Sequence, residues 1–349
     1  MRYVLPDVST MAALSTVSLL GAVGVMAHID VDTPDGTFDA IDGSLQVVYE
    51  QRFDDANPLQ NIAVSTISAL RWGLFGQGTP DLVVGRDGWL FTAEDFQNDA
   101  DFEPRFNAAI DQVAHVNAVL AAQGIKLLIV ALPDKAEVYH DKLGFARSER
   151  VAMRHRHFVR DVQSTGAAIV DGFAALQAGR AQQETFQRDD THWSSFGAKM
   201  VAAQIADWIQ TYDLDLSHAE VTTTYTGSQP HDGDLLQFAD TGMWRAFVGP
   251  DQSTIAQYET TVVSSGGLFG DAAVEVALVG TSYSARTEWH FVDHLQTALQ
   301  SEVVSFATAG EGPFAPMSEM LNADEFKENP PKIVIWEIPT RYTTLDIQS

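Results

Sequence analysis

The sequence predicts an α/β protein in which helices cover both faces of a parallel sheet. Two observations carry this prediction. The first is a set of continuous apolar runs, which suit parallel strands that are buried on both faces; they span 125–132, 274–279 and 333–337. The second is that helical patterns alternate with these runs along the chain, as they do where helices connect parallel strands.

The remaining elements follow from local patterns. Apolar residues at helical spacing predict the helices, which span 61–75, 106–123, 158–164, 195–212, 286–299 and 317–321. Short apolar runs predict further strands at 167–170 and 303–306. Asp87-Gly88 lies between two apolar runs and predicts a hairpin, because this dipeptide accepts positive φ. The stretch 222–272, rich in Thr, Gly and Ser, predicts a β-rich insertion, with an irregular excursion as the alternative.

The N-terminal region predicts export from the cytoplasm. Residues 8–27 contain no charged side chain and are long enough to span a bilayer. Arg2 precedes this segment and Asp30 follows it, which favours an N-terminus inside and a body outside. The sequence therefore predicts a signal peptide or membrane anchor over 1–29, an N-terminal extension over 30–80 and a catalytic domain over 81–349. Cleavage and retention of the first segment are both left open, and a buried helix of the globular body is the alternative to either.

Composition excludes several classes of function. The 349 residues include 47 acidic and 21 basic ones, for a formal net charge of −26, and there is no cysteine. Nucleic acid is excluded as a partner, because phosphate binding needs a basic surface. The absence of cysteine excludes thiol catalysis and thiolate metal sites. An anionic polymer would need a local basic path on which to dock. One basic cluster could be part of such a path, with an exposed helix face as the alternative; its residues are Arg154, His155, Arg156 and Arg160.

Asp190 and His192 are the first candidates for catalysis. They precede the predicted helix at 195–212 and are two residues apart. In an extended segment their side chains point to the same side, where a carboxylate can hold an imidazole by its Nδ1–H. This spacing predicts an acid–base pair. The alternative is that Asp190 caps the helix and that His192 lies beside it by chance.

Ser282 is the candidate nucleophile. It lies between a predicted buried strand and a helix, in the run VGTSYS at 279–284. A strand–turn–helix exposes a serine at the carboxyl edge of a sheet, where helix N-terminal amides can stabilise an oxyanion. Ser284 is the alternative nucleophile, and simple N-capping is the alternative role. Together with Asp190 and His192, Ser282 completes the acid, base and nucleophile of a catalytic triad.

A glycine-rich loop after the next predicted strand is a candidate for the rest of the oxyanion hole. It contains Gly310 and Gly312. A backbone N–H from such a loop can bind a developing oxyanion. An ordinary turn between a strand and a helix is the alternative.

No metal site and no cofactor are predicted. Two histidine pairs have ligand-like spacing, and no sequence neighbour completes either set of ligands; they are His155 with His157, and His290 with His294. A glycine-rich phosphate loop of the Rossmann or Walker type is also missing from the sequence.

Five segments together carry a resemblance to a known family. They are 84–91, 133–139, 190–193, 280–284 and 336–339. With these segments the chain resembles the alginate O-acetyltransferase (AlgJ/AlgX-like) family of SGNH-hydrolase-like proteins, over about residues 35–342. The resemblance implies a three-layer sandwich with a parallel sheet and a permuted motif order, in which Asp-x-His precedes the serine. It also implies that Asp190, His192 and Ser282 form the triad.

The family resemblance implies a function as well. Acetyl groups would pass through a serine ester to hydroxyls of a secreted polysaccharide such as alginate, in the periplasm and without a cofactor. A membrane-bound O-acyltransferase would supply the acetyl group, and other exopolysaccharide-export proteins would be partners. Tyr283, Trp336 and Arg341 are candidates for lining the site, with core packing as the alternative. Thr340 departs from the family pattern, which usually has glutamate there.

Two other functions fit the same residues. In an acetyl esterase, water would replace the sugar in the second step, and the acyl-enzyme would be shared. In a non-catalytic polysaccharide-binding subunit of an export complex, the three residues would carry no chemistry. Their joint presence at Asp190, His192 and Ser282 argues against the second alternative.

Overall fold

The computed structural model describes residues 60–212, 214–239, 241, 244–248, 250–264 and 275–345. The predicted signal or anchor at 8–27, and most of the predicted extension at 30–80, lie outside these residues. Within the described part of the chain, every helix is too short or too polar to cross a membrane.

Helices and strands alternate along the chain. The helices are α1 (Gln60–Phe75), α2 (Phe102–Ala122), α3 (Lys135–Val138), α4 (Glu149–Ser164), α5 (Gly172–Gly179), α6 (Ser195–Thr211), α7 (Arg245–Val248), α8 (Ser282–Ala285), α9 (Phe291–Leu299), α10 (Phe314–Asn322) and α11 (Asp324–Glu328). The strands are β1 (Leu82–Val84), β2 (Leu90–Thr92), β3 (Lys126–Leu132), β4 (Ala168–Asp171), β5 (Ala219–His231), β6 (Ser253–Ser264), β7 (Val276–Val279), β8 (Val303–Ser305) and β9 (Ile333–Pro339).

The chain divides into two compact units. One contains α1 and residues 239–249, which include α7; in it the Trp244 indole N–H donates to Thr66 Oγ1 at 2.9 Å. The other contains residues 78–238 and 250–349 and holds the sheets and the candidate site. The division at 29/30 and 80/81 made from the sequence stays a prediction.

The main sheet has five parallel strands in the order β4-β3-β9-β7-β8. The three apolar runs of the sequence are its central strands, and Ile335 of β9 pairs with Leu128 of β3 on one side and with Leu278 of β7 on the other. The predicted parallel sheet is therefore confirmed. The last strand of the described residues, β9, lies in the middle of the sheet.

Both faces of this sheet are covered by helices. Successive residues of β3 alternate between two hydrophobic clusters, as strand geometry requires: Leu128 lies in one cluster and Ile129 in the other. Helices α5, α6 and α9 contribute side chains to the first cluster, and α2, α4 and α10 contribute side chains to the second. The unit that holds the main sheet thus has the three layers that the family resemblance implied.

The predicted hairpin at Asp87-Gly88 is confirmed. Strands β1 and β2 pair antiparallel, and the Trp89 amide donates to the Arg86 carbonyl across the turn. Asp87 has φ 57° and Gly88 has φ 77°, both in the left-handed region. Two successive left-handed residues define the turn type that suits the twist of a tight hairpin.

The β-rich insertion is a long antiparallel hairpin of β5 and β6, with a register shift between Tyr225 and Gly227. Its pairing runs from Ala219–Ser264 to His231–Ser253. The prediction of β structure in 222–272 is confirmed for residues 222–231 and 253–264. Between the two strands the described residues include α7 and a 3₁₀ turn at Asp234–Ala239, and 265–274 lie outside the described residues. The end of β5 brings His231 to the candidate site.

The predicted helix at 286–299 is wrong in its first part. Helix α8 ends at Ala285, a 3₁₀ turn spans Thr287–Trp289, and α9 begins only at Phe291. His290, at φ 54°, is left-handed and separates the two. The apolar spacing continues across this break, because both segments pack on the same core, so periodicity alone did not reveal it.

The basic cluster of α4 is not a surface path. The Arg154 side chain is fully buried and donates to Asp134 Oδ2 at 2.6 Å. His155 is also buried, with its Nε2 2.7 Å from Asp171 Oδ1. Arg156 and Arg160 alone of the four are exposed, and Arg160 pairs with Asp161. The sequence reading of these residues as a continuous basic path, or as an exposed face, is wrong for Arg154 and His155.

Candidate active site

Three side chains from two parts of the chain meet at the carboxyl edge of the sheet. Ser282 follows β7, and Asp190 and His192 lie in the loop before α6. His192 Nε2 is 2.7 Å from Ser282 Oγ, and His192 Nδ1 is 2.6 Å from Asp190 Oδ1. The structure thus brings together the three residues that the sequence singled out, in a continuous chain of hydrogen bonds.

The loop that carries Asp190 and His192 is fixed from both sides. Ser194 caps α6, since its Oγ accepts from the Gly197 amide at 3.1 Å. Beneath the loop, the ammonium of Lys135 donates to the carbonyls of Arg188 and Asp190 at 2.9 and 2.8 Å. Lys135 is buried, and this burial lowers its pKa to about 8. These bonds hold the backbone of the acid–base segment in place.

A buried carboxylate fixes the turn that carries Ser282. Glu337, at the end of β9, accepts from the Thr281 amide at 2.8 Å and from Ser284 Oγ at 3.0 Å. Thr281 Oγ1 in turn caps α8 by accepting from the Tyr283 amide. Ser284, the alternative nucleophile, therefore points to Glu337, whereas Ser282 Oγ is bonded to the imidazole.

Gly280 is required by the same packing. A Cβ at this position would lie 2.5 Å from Glu337 Oε2 and 2.9 Å from Ser284 Oγ. Both distances are shorter than van der Waals contact, so only glycine lets the turn pass this close to the carboxylate.

Asp190 accepts four hydrogen bonds. Oδ1 accepts from the His192 amide and Nδ1, and Oδ2 accepts from His231 Nε2 and the Asp234 amide, both at 3.0 Å. Burial opposes ionisation of Asp190, but the bonds from His192 and His231 outweigh it and hold its pKa well below the usual range. An ionised Asp190 fixes the His192 proton on Nδ1 and leaves Nε2 to accept from Ser282.

Aromatic rings hold the imidazole of His192. Trp289 stacks on it with a centroid distance of 5.4 Å and an interplanar angle of 21°, and Tyr283 lies 4.8 Å away. Trp289 is buried, as is the ring of Tyr283. The imidazole is therefore confined to the plane in which it meets Ser282.

Tyr283 and Arg341 lie beside the site, and Trp336 does not. The Tyr283 hydroxyl donates to the Thr191 carbonyl at 2.7 Å and accepts from Arg341 Nη1 at 3.1 Å. Trp336 is in the core of the opposite cluster, edge-on to Phe314, and is fully buried. The structure therefore favours core packing for Trp336.

The predicted oxyanion loop is joined to the nucleophile turn. The Thr308 amide donates to the Gly280 carbonyl at 3.1 Å. Gly310 and Gly312 follow with φ of 91° and 67°, which L-residues rarely adopt. A role of either glycine in holding an oxyanion stays a prediction.

One acidic cluster could in principle offer ligands to a cation. Within the described residues, Asp190, His192 and Asp234 each present one atom, all within 4.8 Å of one another. Both nitrogens of His192 are already engaged, one with Asp190 and one with Ser282. Asp234 likewise accepts from the Thr191 amide and hydroxyl. We therefore assign these contacts to a hydrogen-bond network.

Sequence reasoning gave no role to four residues that support the site: Lys135, His231, Asp234 and Glu337. A charged residue within an apolar run is a usable signal, and Glu337 lies in such a run. Lys135 also lies in one of the segments that carry the family resemblance. His231 had no local signal, because it reaches Asp190 from the end of an insertion.

The fold and site together define a class of protein. A parallel sheet with helices on both faces, and with serine, histidine and aspartate hydrogen-bonded at its carboxyl edge, is the arrangement of hydrolase-like α/β proteins. A family profile described as "SGNH hydrolase-like domain, acetyltransferase AlgX" matches residues 82–340. The chain therefore belongs to this family, which confirms the resemblance seen in the sequence.

Similar proteins agree with this assignment. The probable alginate O-acetylase AlgJ of Azotobacter vinelandii is 35% identical, over 95% of this chain and 86% of its own length. That of Pseudomonas aeruginosa is 32% identical, over 89% and 81%. The solved O-acetyltransferase domain of Pseudomonas putida AlgJ is 28% identical with a TM-score of 0.69, and the match covers 78% of this chain and 94% of that domain.

Proposed function

We propose that this protein is an O-acetyltransferase that moves acetyl groups through Ser282 to hydroxyls of a secreted polysaccharide. The observation that carries the proposal is the hydrogen-bonded series Asp190–His192–Ser282, with distances of 2.6 and 2.7 Å. The names of the AlgJ relatives support alginate as the polymer and acetyl transfer as the reaction. The proposed setting is the periplasm, and the proposed partners are a membrane-bound O-acyltransferase and other export proteins.

The first half of the reaction loads the serine. Ser282 Oγ attacks the carbonyl carbon of the acetyl donor while its proton passes to His192 Nε2. The tetrahedral intermediate then expels the donor's leaving group, which takes the proton from His192. The products are an acetyl ester on Ser282 and the protonated leaving group of the acetyl donor. Ionised Asp190 stabilises the imidazolium that forms between these steps.

The second half unloads the serine onto the sugar. A hydroxyl of the polysaccharide gives its proton to His192 Nε2 and attacks the acetyl carbonyl. Collapse of the intermediate releases the acetylated sugar, and Ser282 recovers its proton from His192. In each half the amides at the start of α8 and in the Gly310 loop are proposed to hold the oxyanion. Water in place of the sugar gives the acetylesterase side reaction.

The test compares two serines of the same turn. We expect Ser282→Ala to lower the hydrolysis of a chromogenic acetyl ester by the full chain by about 10³-fold or more. Ser284→Ala serves as the matched control, since Ser284 Oγ bonds Glu337 rather than the imidazole; we expect about a tenth of the activity or more to remain. Mass spectrometry after quenching should find the acetyl ester on the peptide that contains Ser282.

The transfer step is tested with an acceptor. An isotope-labelled acetyl ester and uronate oligosaccharides should give labelled sugar with the parent chain and none with Ser282→Ala. Equal ester hydrolysis by the parent chain and by Ser282→Ala would contradict the proposed role of this serine. Ester hydrolysis that depends on Ser282 but never labels any sugar would identify an esterase.

A further inference from the structure

The carboxylate of Asp190 binds a second imidazole besides that of His192. His231 Nε2 lies 3.0 Å from Oδ2, and His192 Nδ1 lies 2.6 Å from Oδ1. An ionised carboxylate only accepts hydrogen bonds, so both imidazoles must donate to it. The charge of Asp190 is therefore shared between two histidines, of which only His192 touches Ser282.

His231 is held firmly in this place. It is the last residue of β5, and its side chain is 11% exposed. Its ring stands edge-on to Trp289 at 5.3 Å and 84°, while the same indole stacks on His192 at 5.4 Å and 21°. One indole therefore contacts both imidazoles and fixes the planes in which each meets the carboxylate.

We propose that His231 is a positioning residue that holds the Asp190 carboxylate and, by taking up a proton, weakens His192 as a base. A protonated His231 at Oδ2 partly neutralises the carboxylate charge that would stabilise a protonated His192 at Oδ1. Protonation of one imidazole therefore disfavours protonation of the other. This inference rests on the proposed function, because it assigns His192 as the base that activates Ser282.

The charged surroundings of His231 favour its protonated form. The hydrogen bond to Asp190 raises its pKa, burial opposes this rise, and the carboxylates of Asp190 and Asp189 add to it. Arg286 is the cation that opposes it. On the other side of the carboxylate, Asp234 Oδ2 lies 3.5 Å from His192 Nδ1.

The test uses the acid limb of the pH profile. In His231→Gln, a neutral amide can still donate to Oδ2 but cannot take up a proton. We expect the acid limb of kcat/KM for a chromogenic acetyl ester to move to higher pH by about one pH unit, because His192 then faces the full charge of Asp190. His231→Ala, which removes the donor, should lower kcat about tenfold with little change in KM.

His155→Gln is the matched control. His155 also places Nε2 against a carboxylate, 2.7 Å from Asp171 Oδ1, and its contacts among the described residues, to Asp171 and to the Phe173 ring, do not involve the triad. Its acid limb should coincide with that of the parent chain. An unmoved acid limb in His231→Gln, or an equal movement in His155→Gln, overturns the inference.

A second readout does not depend on activity. NMR titration of the His192 imidazole in a Ser282→Ala background should show its midpoint at higher pH when His231→Gln is added, and an unchanged midpoint overturns the inference. Thermal unfolding establishes that each variant is folded. Ester hydrolysis that survives Ser282→Ala refutes the serine mechanism itself, whereas a Ser282-dependent enzyme with an unmoved acid limb refutes only the role of His231.

Discussion

Asp190 decides which nitrogen of His192 carries the proton. Its Oδ1 accepts from Nδ1 at 2.6 Å, so Nε2 is free to accept from Ser282. In Asp190→Asn the side-chain amide can donate to Nδ1, which moves the imidazole proton to Nε2, where it blocks the serine. We expect kcat for ester hydrolysis to fall about 10³–10⁴-fold, as loss of the correct tautomer does in serine proteases. Steady-state kinetics measures this, and a loss of less than about tenfold would contradict the assigned tautomer.

Protonation of Glu337, the residue that fixes the turn of Ser282, changes the free energy of unfolding. Burial raises its pKa to about 7, from an ordinary value of 4.5. The pKa of Glu337 is higher in the folded chain than in the unfolded chain. The Glu337 side chain therefore contributes to stability below pH 4.5, and this contribution is lost as the pH rises through 7. We expect Glu337→Gln to gain about 3 kcal/mol in free energy of unfolding, relative to the parent chain, between about pH 5 and about pH 8.

Urea unfolding at both pH values measures the effect of Glu337→Gln. Glu319 lies on the exposed face of α10, so Glu319→Gln is the control and should show no such gain. A difference between Glu337→Gln and the parent chain that stays constant with pH would show that Glu337 is ionised in the folded protein throughout this range.

At the residue scale, the sequence identified site residues that lie in short local motifs. It missed residues whose role depends on contacts with residues far away in the chain. Asp190 and His192 are two apart, and Ser282 lies in a strand–turn–helix, so each pattern is contained in a few residues. The contact of His231 with Asp190 joins residues 41 positions apart. Its formation depends on how the β5–β6 hairpin packs, which no local pattern encodes.

The ion pair between Arg154 and Asp134 anchors α4. Both side chains are buried, and Arg154 Nη1 also donates to Thr344 Oγ1 at 2.8 Å. Among the described residues, Arg154→Met leaves the Asp134 charge with the longer contact to Arg147, at 3.6 Å. We expect this change to lower the free energy of unfolding by about 3 kcal/mol, because a buried charge loses its partner.

Arg160→Met is the control for Arg154→Met on the same helix. Arg160 is exposed and pairs with its neighbour Asp161, so its loss should leave the free energy of unfolding nearly unchanged. Urea unfolding of both variants measures the difference. Equal effects of the two substitutions would show that burial of the Arg154 pair contributes nothing to stability.

At the element scale, sequence predicted the strands of the main sheet better than the helix ends. Strands β3, β7 and β9 are continuous apolar runs with sharp limits, so composition alone marks them. Helix α4 begins at Glu149, whereas the apolar pattern predicted a start at 158. The pattern missed the first turns because they carry many polar residues. Of these polar residues, Arg154 and His155 are buried and each pairs with a carboxylate, which an apolar pattern does not detect.

Over the whole molecule, the net charge of −26 means that the charged groups of the folded chain repel one another on balance, which lowers its stability. Salt screens this repulsion, since the Debye length falls from roughly 30 Å at 0.01 M to roughly 8 Å at 0.15 M. We expect the free energy of unfolding to rise by on the order of 1 kcal/mol across this range, and Tm by about 1–2 °C. Calorimetry in NaCl at neutral pH measures the change. A falling Tm would show that ion pairs outweigh the net repulsion.

The position of β9 bears on how the protein is made. It is the last described strand to leave the ribosome, yet it lies between β3 and β7. The pairs β4–β3 and β7–β8 can form earlier, but they cannot join into one sheet before β9 arrives. The turn of Ser282 follows β7 at this gap, and Glu337, which fixes that turn, enters with the strand that fills the gap. Only a chain translated through Pro339 can therefore assemble the site, so nascent chains and truncated products carry the reactive residues without the arrangement that makes them reactive.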